Sequence, residues 1–146
     1  MIRWIARSRR HCSVVLLCGG AALTTALSAF GAESPPANVD WTKAQVIKVE
    51  MARSRFFPDK LTFRRGVAYR LHLENTGGAM HEFTAPEFFK AVSIRNPEAL
   101  DAQQHEVLLQ PKESRDVYFV PLKSGRYELT CADHDWDGMV GEITIE

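Results

Sequence analysis

Cys131-Ala-Asp-His134-Asp-Trp-Asp-Gly-Met139-Val-Gly-Glu-Ile-Thr-Ile-Glu146 closes the chain, and its reading decides the fold. It sets a thiol, an imidazole and a thioether at C-x2-H-x4-M spacing, then alternates Ile143 and Ile145 with polar neighbours. That alternation is the period of a strand with one buried face. Three donors on one short loop between neighbouring strands are forced to converge. A trigonal site of two imidazoles and a thiolate, with a weak axial thioether, is a blue-copper arrangement. It needs a second imidazole, and His81, in Asn75-Thr-Gly-Gly-Ala-Met-His81-Glu-Phe83, is the candidate.

Working back from this stretch, the chain reads as short β-segments parted by turn signals. Arg126 to Thr130 places Tyr127, Leu129 and Cys131 on one phase, after a turn at Lys123-Ser-Gly125. Glu106 to Gln110 and Arg115 to Val120 form a pair of segments across Pro111-Lys-Glu-Ser. Val67, Tyr69, Leu71 and Leu73 alternate with Ala68, Arg70, His72 and Glu74, a clean period of two that Asn75-Thr-Gly-Gly breaks. Gln45 to Met51 is the first segment, and Phe56 to Phe63 turns at Pro58-Asp59 before its strand. Phe88 to Ile94 carries no clear pattern, and Pro97 to Gln104 allows a short helix. The expected fold class is all-β, a Greek-key β-sandwich of about seven to eight strands. Loops cluster at one end of a sandwich, so His81 can meet the Cys131 loop.

At 146 residues the chain supports one domain behind a targeting segment. Arg3, Arg7, Arg9 and Arg10 precede an apolar, small-residue run from Cys12 to Phe30, the order of a secretory signal peptide. The expected organisation is a signal peptide over 1–31, a tether over 32–42 and a domain over 43–146. The expected location is the periplasm, by the Sec route rather than the twin-arginine one, with no membrane insertion after cleavage. Lysines plus arginines equal aspartates plus glutamates, 18 each, so removing 1–31 leaves the mature part net acidic. No basic excess points to nucleic acid. Cys12 and Cys18 leave with the signal, and a lone Cys131 cannot form an internal disulfide.

From Lys43 to Glu146 the chain resembles the cupredoxin family, in particular the short-loop type of plastocyanin and pseudoazurin. The likeness rests on the strand ending at Cys131, the C-x2-H-x4-M loop, Gly-x-Ile-x-Ile at the end, and Asn-x-Gly before His81. Phe57-Pro58 and Leu61-x-Phe-x-x-Gly66 add to it. The resemblance implies His81, Cys131, His134 and Met139 as ligands of one copper ion, and one-electron transfer or periplasmic copper handling as the role. It implies no enzymatic activity, since relatives with a second copper carry His-x-His pairs, which this chain lacks. The partner expected is a redox protein such as a c-type cytochrome, or a copper donor or acceptor. Two features depart from the carriers of the family. Glu82 stands where many have Asn, and Asp133, Asp135 and Asp137 crowd the ligand loop.

Other readings stand beside this one. Cys131 suits a buried core thiol, Met139 core filling, His134 a solvated loop and His81 a turn. Zinc accepts two imidazoles and a thiolate as readily, with Met139 as an idle neighbour. A copper trafficking or resistance protein would use the same ligands without carrying current. A metal-free immunoglobulin-like interaction module would need only the sandwich. His72, in phase with Arg70 and Glu74, is expected to face solvent, and His105 to open a strand.

Overall fold

The computed structural model describes residues 38–146. The expected signal peptide and the first six residues of the expected tether lie outside the described residues. Ten strands follow in chain order: β1 (Gln45–Ala52), β2 (Arg55–Phe57), β3 (Lys60–Phe63), β4 (Tyr69–Asn75), β5 (His81–Thr84), β6 (Val92–Ile94), β7 (Glu106–Leu109), β8 (Ser114–Pro121), β9 (Gly125–Thr130) and β10 (Val140–Ile145). The count exceeds the expected seven to eight for local reasons. Pro58 and Asp59 split one expected segment into β2 and β3, while β5 and β6 are too short for periodicity to reveal. Pro97–Ala99 is a single 3-10 turn rather than a longer helix, and Pro86–Phe89 is one α-helical turn.

The strands form two five-stranded sheets, ordered β2-β1-β4-β8-β6 and β3-β10-β9-β5-β7. β1 runs parallel to β4, and β10 parallel to β3. A parallel neighbour cannot be reached by a hairpin, so the chain crosses between the sheets. Along β4 every second residue, Tyr69, Leu71, Leu73 and Asn75, is buried, as the period of two requires. Between the sheets lies an aromatic cluster: Phe63 packs on Tyr69, Phe88 and Phe119 with ring centroids 4.9, 5.6 and 5.1 Å away. Such pairs contribute about 0.5–1.5 kcal/mol each beyond the area they bury. They make the two sheets one rigid frame for the loops at its ends.

Residues 41 and 42, expected in the tether, belong to a 3-10 turn, Trp41–Lys43, capped by the Asp40 side chain. Trp41 lies edge-on to Tyr118 at 6.1 Å, and the Arg95 guanidinium sits 5.2 Å from the Trp41 ring centre. Among the described residues no helix is long and apolar enough to cross a membrane.

Candidate metal centre

β9 and β10 are antiparallel neighbours, with Thr130 paired to Val140. The loop between them therefore starts at Cys131 and ends at Met139 within one strand spacing. Its backbone is closed by its own bonds. Cys131 N–H donates to Met139 O (3.1 Å), His134 N–H to Cys131 O (3.0 Å) and Met139 N–H to His134 O (3.1 Å). Asp135–Asp137 makes a 3-10 turn that Gly138 ends in the left-handed region, at φ 84°, where a side chain would be strained. Cys131 and Met139 are fully buried, His134 is half-buried, and the residues between His134 and Met139 face solvent.

His81 comes from the other side, as the first residue of β5, and is 2% exposed. The chain reaches it through a turn built on Asn75, which is fully buried. The Asn75 amide donates to Ala79 O (2.8 Å) and Leu109 O (3.0 Å), and its oxygen accepts from Gly77 N–H (3.0 Å). Leu109 is also the register partner of His81 on β7, so one side chain ties the turn to the strand that carries the imidazole. A Cβ on Gly77 would stand 3.3 Å from His81 Nε2 and 3.2 Å from Asn75 Oδ1, so one of those side chains would have to give way.

These two constructions meet. One donor atom each from His81, Cys131 and His134 lies within 4.8 Å of the others. The imidazole rings of His81 and His134 are 4.8 Å apart at 61°, and Cys131 Sγ is 3.4 Å from His134 Nδ1. His81 Nδ1 is buried without a hydrogen-bond partner. A buried polar atom left unpaired is costly, and a metal ion is a partner that removes the cost. Burial, and then the neighbouring His134, push the His81 pKa down, so the ring is neutral and has a lone pair to offer. Burial pushes the Cys131 thiol up. A metal must therefore displace a proton from the sulfur, and its affinity falls in acid. The donor set fits a borderline-to-soft transition ion.

The chain matches the family described as Cupredoxin-like domain over residues 20–145. It belongs to that family. The cupredoxin-like match begins well before the expected domain start at 43. The fold is similar to dithionite-reduced auracyanin from the photosynthetic bacterium Roseiflexus castenholzii, at 16% identity and a TM-score of 0.54, over 70% of this chain and 98% of that one. It is also similar to auracyanin B, at 21% identity and a TM-score of 0.53, over 78% and 91% of the two chains. A multi-copper oxidase from Pediococcus acidilactici matches at 20% identity and a TM-score of 0.54, over 79% of this chain and 29% of that one. At these identities the likeness is one of fold. No curated protein sequence matches.

Met139 is held at the base of this cupredoxin-like loop by the backbone bonds above and lies in the core cluster. His105 is exposed and precedes β7 rather than opening it, and it is not part of the cluster. His72 pairs with Asp116 at 2.7 Å on the outer face of the first sheet. Glu82 is not part of the donor cluster either, yet it is 8% exposed and bonded to the loop. Trp136 escaped the sequence reading and is 80% exposed. Its indole Nε1 donates to Asp133 O at 2.9 Å, which holds the ring in place. An aromatic residue flanked by acids in a loop was the available signal.

Proposed function

We propose that this cupredoxin-like protein is a periplasmic mononuclear copper protein that carries single electrons. His81, Cys131 and His134 would hold the ion, with Met139 as the axial donor. The observation that carries this is the convergence of two imidazoles and one thiol, with His81 Nδ1 left unpartnered, in a member of this family. Bound copper would supply the Cu(I)/Cu(II) couple. The protein's part is to keep the donors nearly still in both states, and the closed loop and the Asn75 turn do that. His134 alone of the three is half-buried, so its imidazole edge is the outlet toward a partner. Asp133, Asp135 and Asp137 make no ion pair among the described residues and surround exposed Trp136. This face suits a partner with a basic surface such as a c-type cytochrome, since complementary charge speeds encounter.

The second reading is copper delivery, in which the protein passes the ion to an acceptor. The acidic loop and the buried Glu82 beside the donors are the features that speak for it. Exchange separates the two, because a carrier keeps its copper through repeated turnover while a donor gives it up.

The test is the visible spectrum of the protein titrated with Cu(II), beside Cys131→Ala. The expected result is an intense band at about 600 nm from thiolate-to-copper charge transfer, absent in the variant. A colourless complex would sink the electron-carrier reading and favour zinc, delivery or a metal-free module.

A further inference from the structure

A guanidinium on a different strand holds the exposed half of the donor loop. β1 and β2 form a hairpin in which Ala52 pairs with Arg55, so its turn consists of Arg53 and Ser54 alone. Both sit in the left-handed region, at φ 52° and 51°. So tight a hairpin needs that conformation, although a side chain is strained in it. The Arg55 side chain folds back on this turn and reaches across to the loop. Its Nη1 donates to Ser54 O at 2.6 Å and to Asp137 O at 2.7 Å. One nitrogen thus clamps the hairpin tip to a loop 82 positions away. Gly138 faces the same group: a Cβ there would meet Arg55 Nη1 at 3.6 Å, and its Cζ and Nη2 at 3.7 Å. Among the described residues, every other hydrogen bond made by Asp135 to Gly138 stays within the loop.

The donors lie behind this half of the loop. His81 is 2% exposed, and Cys131 and Met139 are fully buried, whereas Asp135 to Gly138 are exposed. Half-buried His134 is the most accessible donor, so the way in from solvent runs past the loop that carries it. Beside the loop, a groove lined by Arg55, Phe57, Asp59, Gly138 and Val140 leaves that side without a packed neighbour. Moving the loop there breaks the Asp137 bond and leaves the core intact. A charged donor makes that bond stronger than a neutral one would. Its exposure lets water compete for both partners, which limits its strength. The tie holds the loop and still opens.

We propose that Arg55 is a positioning residue that latches the His134–Met139 half of the loop, and so sets the rate at which copper enters and leaves the site. This rests on the copper reading above. A firm latch keeps the ion through turnover, and an open one gives it up to an acceptor.

The test compares wild type with Arg55→Leu, which removes the donor, and Arg55→Lys, whose ammonium keeps the charge but ends one atom nearer the backbone. Each protein is loaded with Cu(I) and mixed with excess bathocuproine disulfonate, a Cu(I) chelator. Release is expected to quicken about fivefold in the Leu variant, with the Lys variant between it and wild type. The charge-transfer band of the Cu(II) forms is expected to stay in place, since Arg55 touches none of the four donors. In the metal-free proteins, amide exchange at Gly138 and Met139 is expected to quicken by a similar factor in Arg55→Leu, with exchange in β4 unchanged. Equal release rates in the three proteins would overturn the proposal. So would quickening that extends evenly through β4, which marks a general loss of stability. If wild type binds no copper while Gly138 and Met139 alone still quicken in Arg55→Leu, the copper reading falls and the latch with it, and Arg55 remains a strut for the loop.

Discussion

His81 enters the site from inside a sheet, whereas Cys131, His134 and Met139 arrive on a loop whose middle stands in solvent. The first is seated by side-chain bonds from Asn75, a residue six positions away, and by pairing with β7. The second is tied mostly to itself, through bonds among Cys131, His134 and Met139. The difference separates two tasks. A donor seated in the core holds the geometry still, and a loop with a buried base and an exposed tip carries that geometry to the surface. Stability should therefore sit in the β5 seat and the loop's base, and recognition in the loop's tip.

The strongest challenge to this division is at the base of the loop. A Cβ on Gly141 would run into the Asp59 carbonyl oxygen, which also accepts Glu142 N–H at 2.8 Å. Backbone cannot yield there without losing that bond. Gly141→Ala is expected to cost about 3 kcal/mol, read from the denaturant midpoint. A neutral result would mean that the base is looser than its packing implies.

Asn75→Ala tests the seat itself. It leaves Ala79 O, Leu109 O and Gly77 N–H without their side-chain partner, so a loss of about 2 kcal/mol is expected. Weaker Cu(II) binding should accompany it, since the turn before His81 is no longer pinned. Unaltered metal affinity in a destabilised variant would show that the β7 pairing alone seats the imidazole.

Asp116 belongs to neither region and serves as a control. Burial works to raise its carboxyl, but the bonds from His72 and Arg70 outweigh it and hold the group below its ordinary value of 3.8. The folded pKa lies under the unfolded one. Its contribution is thus complete above the ordinary carboxylate range and is lost as pH falls through the lowered folded value. Asp116→Asn should cost about 1 kcal/mol at neutral pH and flatten that acid limb, with the visible spectrum of the copper-loaded protein unaltered.

The smallest effect on stability is expected at the tip. Trp136→Ala should change unfolding by less than about 0.5 kcal/mol, because an exposed ring leaves little behind. Its effect should appear in association with a basic partner, as a faster off-rate in stopped-flow mixing. A large loss of stability there would erase the distinction between tip and seat.

Much of the loop was legible in the chain because its donors are local. Cys131, His134 and Met139 lie within nine residues, and the strands on either side of them show their period of two. The strand expected from Val67 to Glu74 appears as Tyr69–Asn75, and the one expected from Glu142 to Glu146 as Val140–Ile145, with Tyr69, Leu71, Leu73, Ile143 and Ile145 buried. β5 and β6 were not legible, since three or four residues are too few for alternation to stand out. Glu82 was visible only as a departure from the family's usual residue. That its main-chain N–H meets the Cys131 sulfur depends on a residue 49 positions away.

The order of residues alone determined the all-β character, the donor types and the spacing of three of them, because these follow from side-chain chemistry and short-range periodicity. Tertiary structure decided that His81 faces Cys131 and His134, that Glu82 is buried with its main-chain N–H on the Cys131 sulfur, and that Trp136 stands in water. The first two depend on β5 and the β9–β10 loop, segments some fifty positions apart, being brought to one end of the sandwich, which no local preference of the chain encodes.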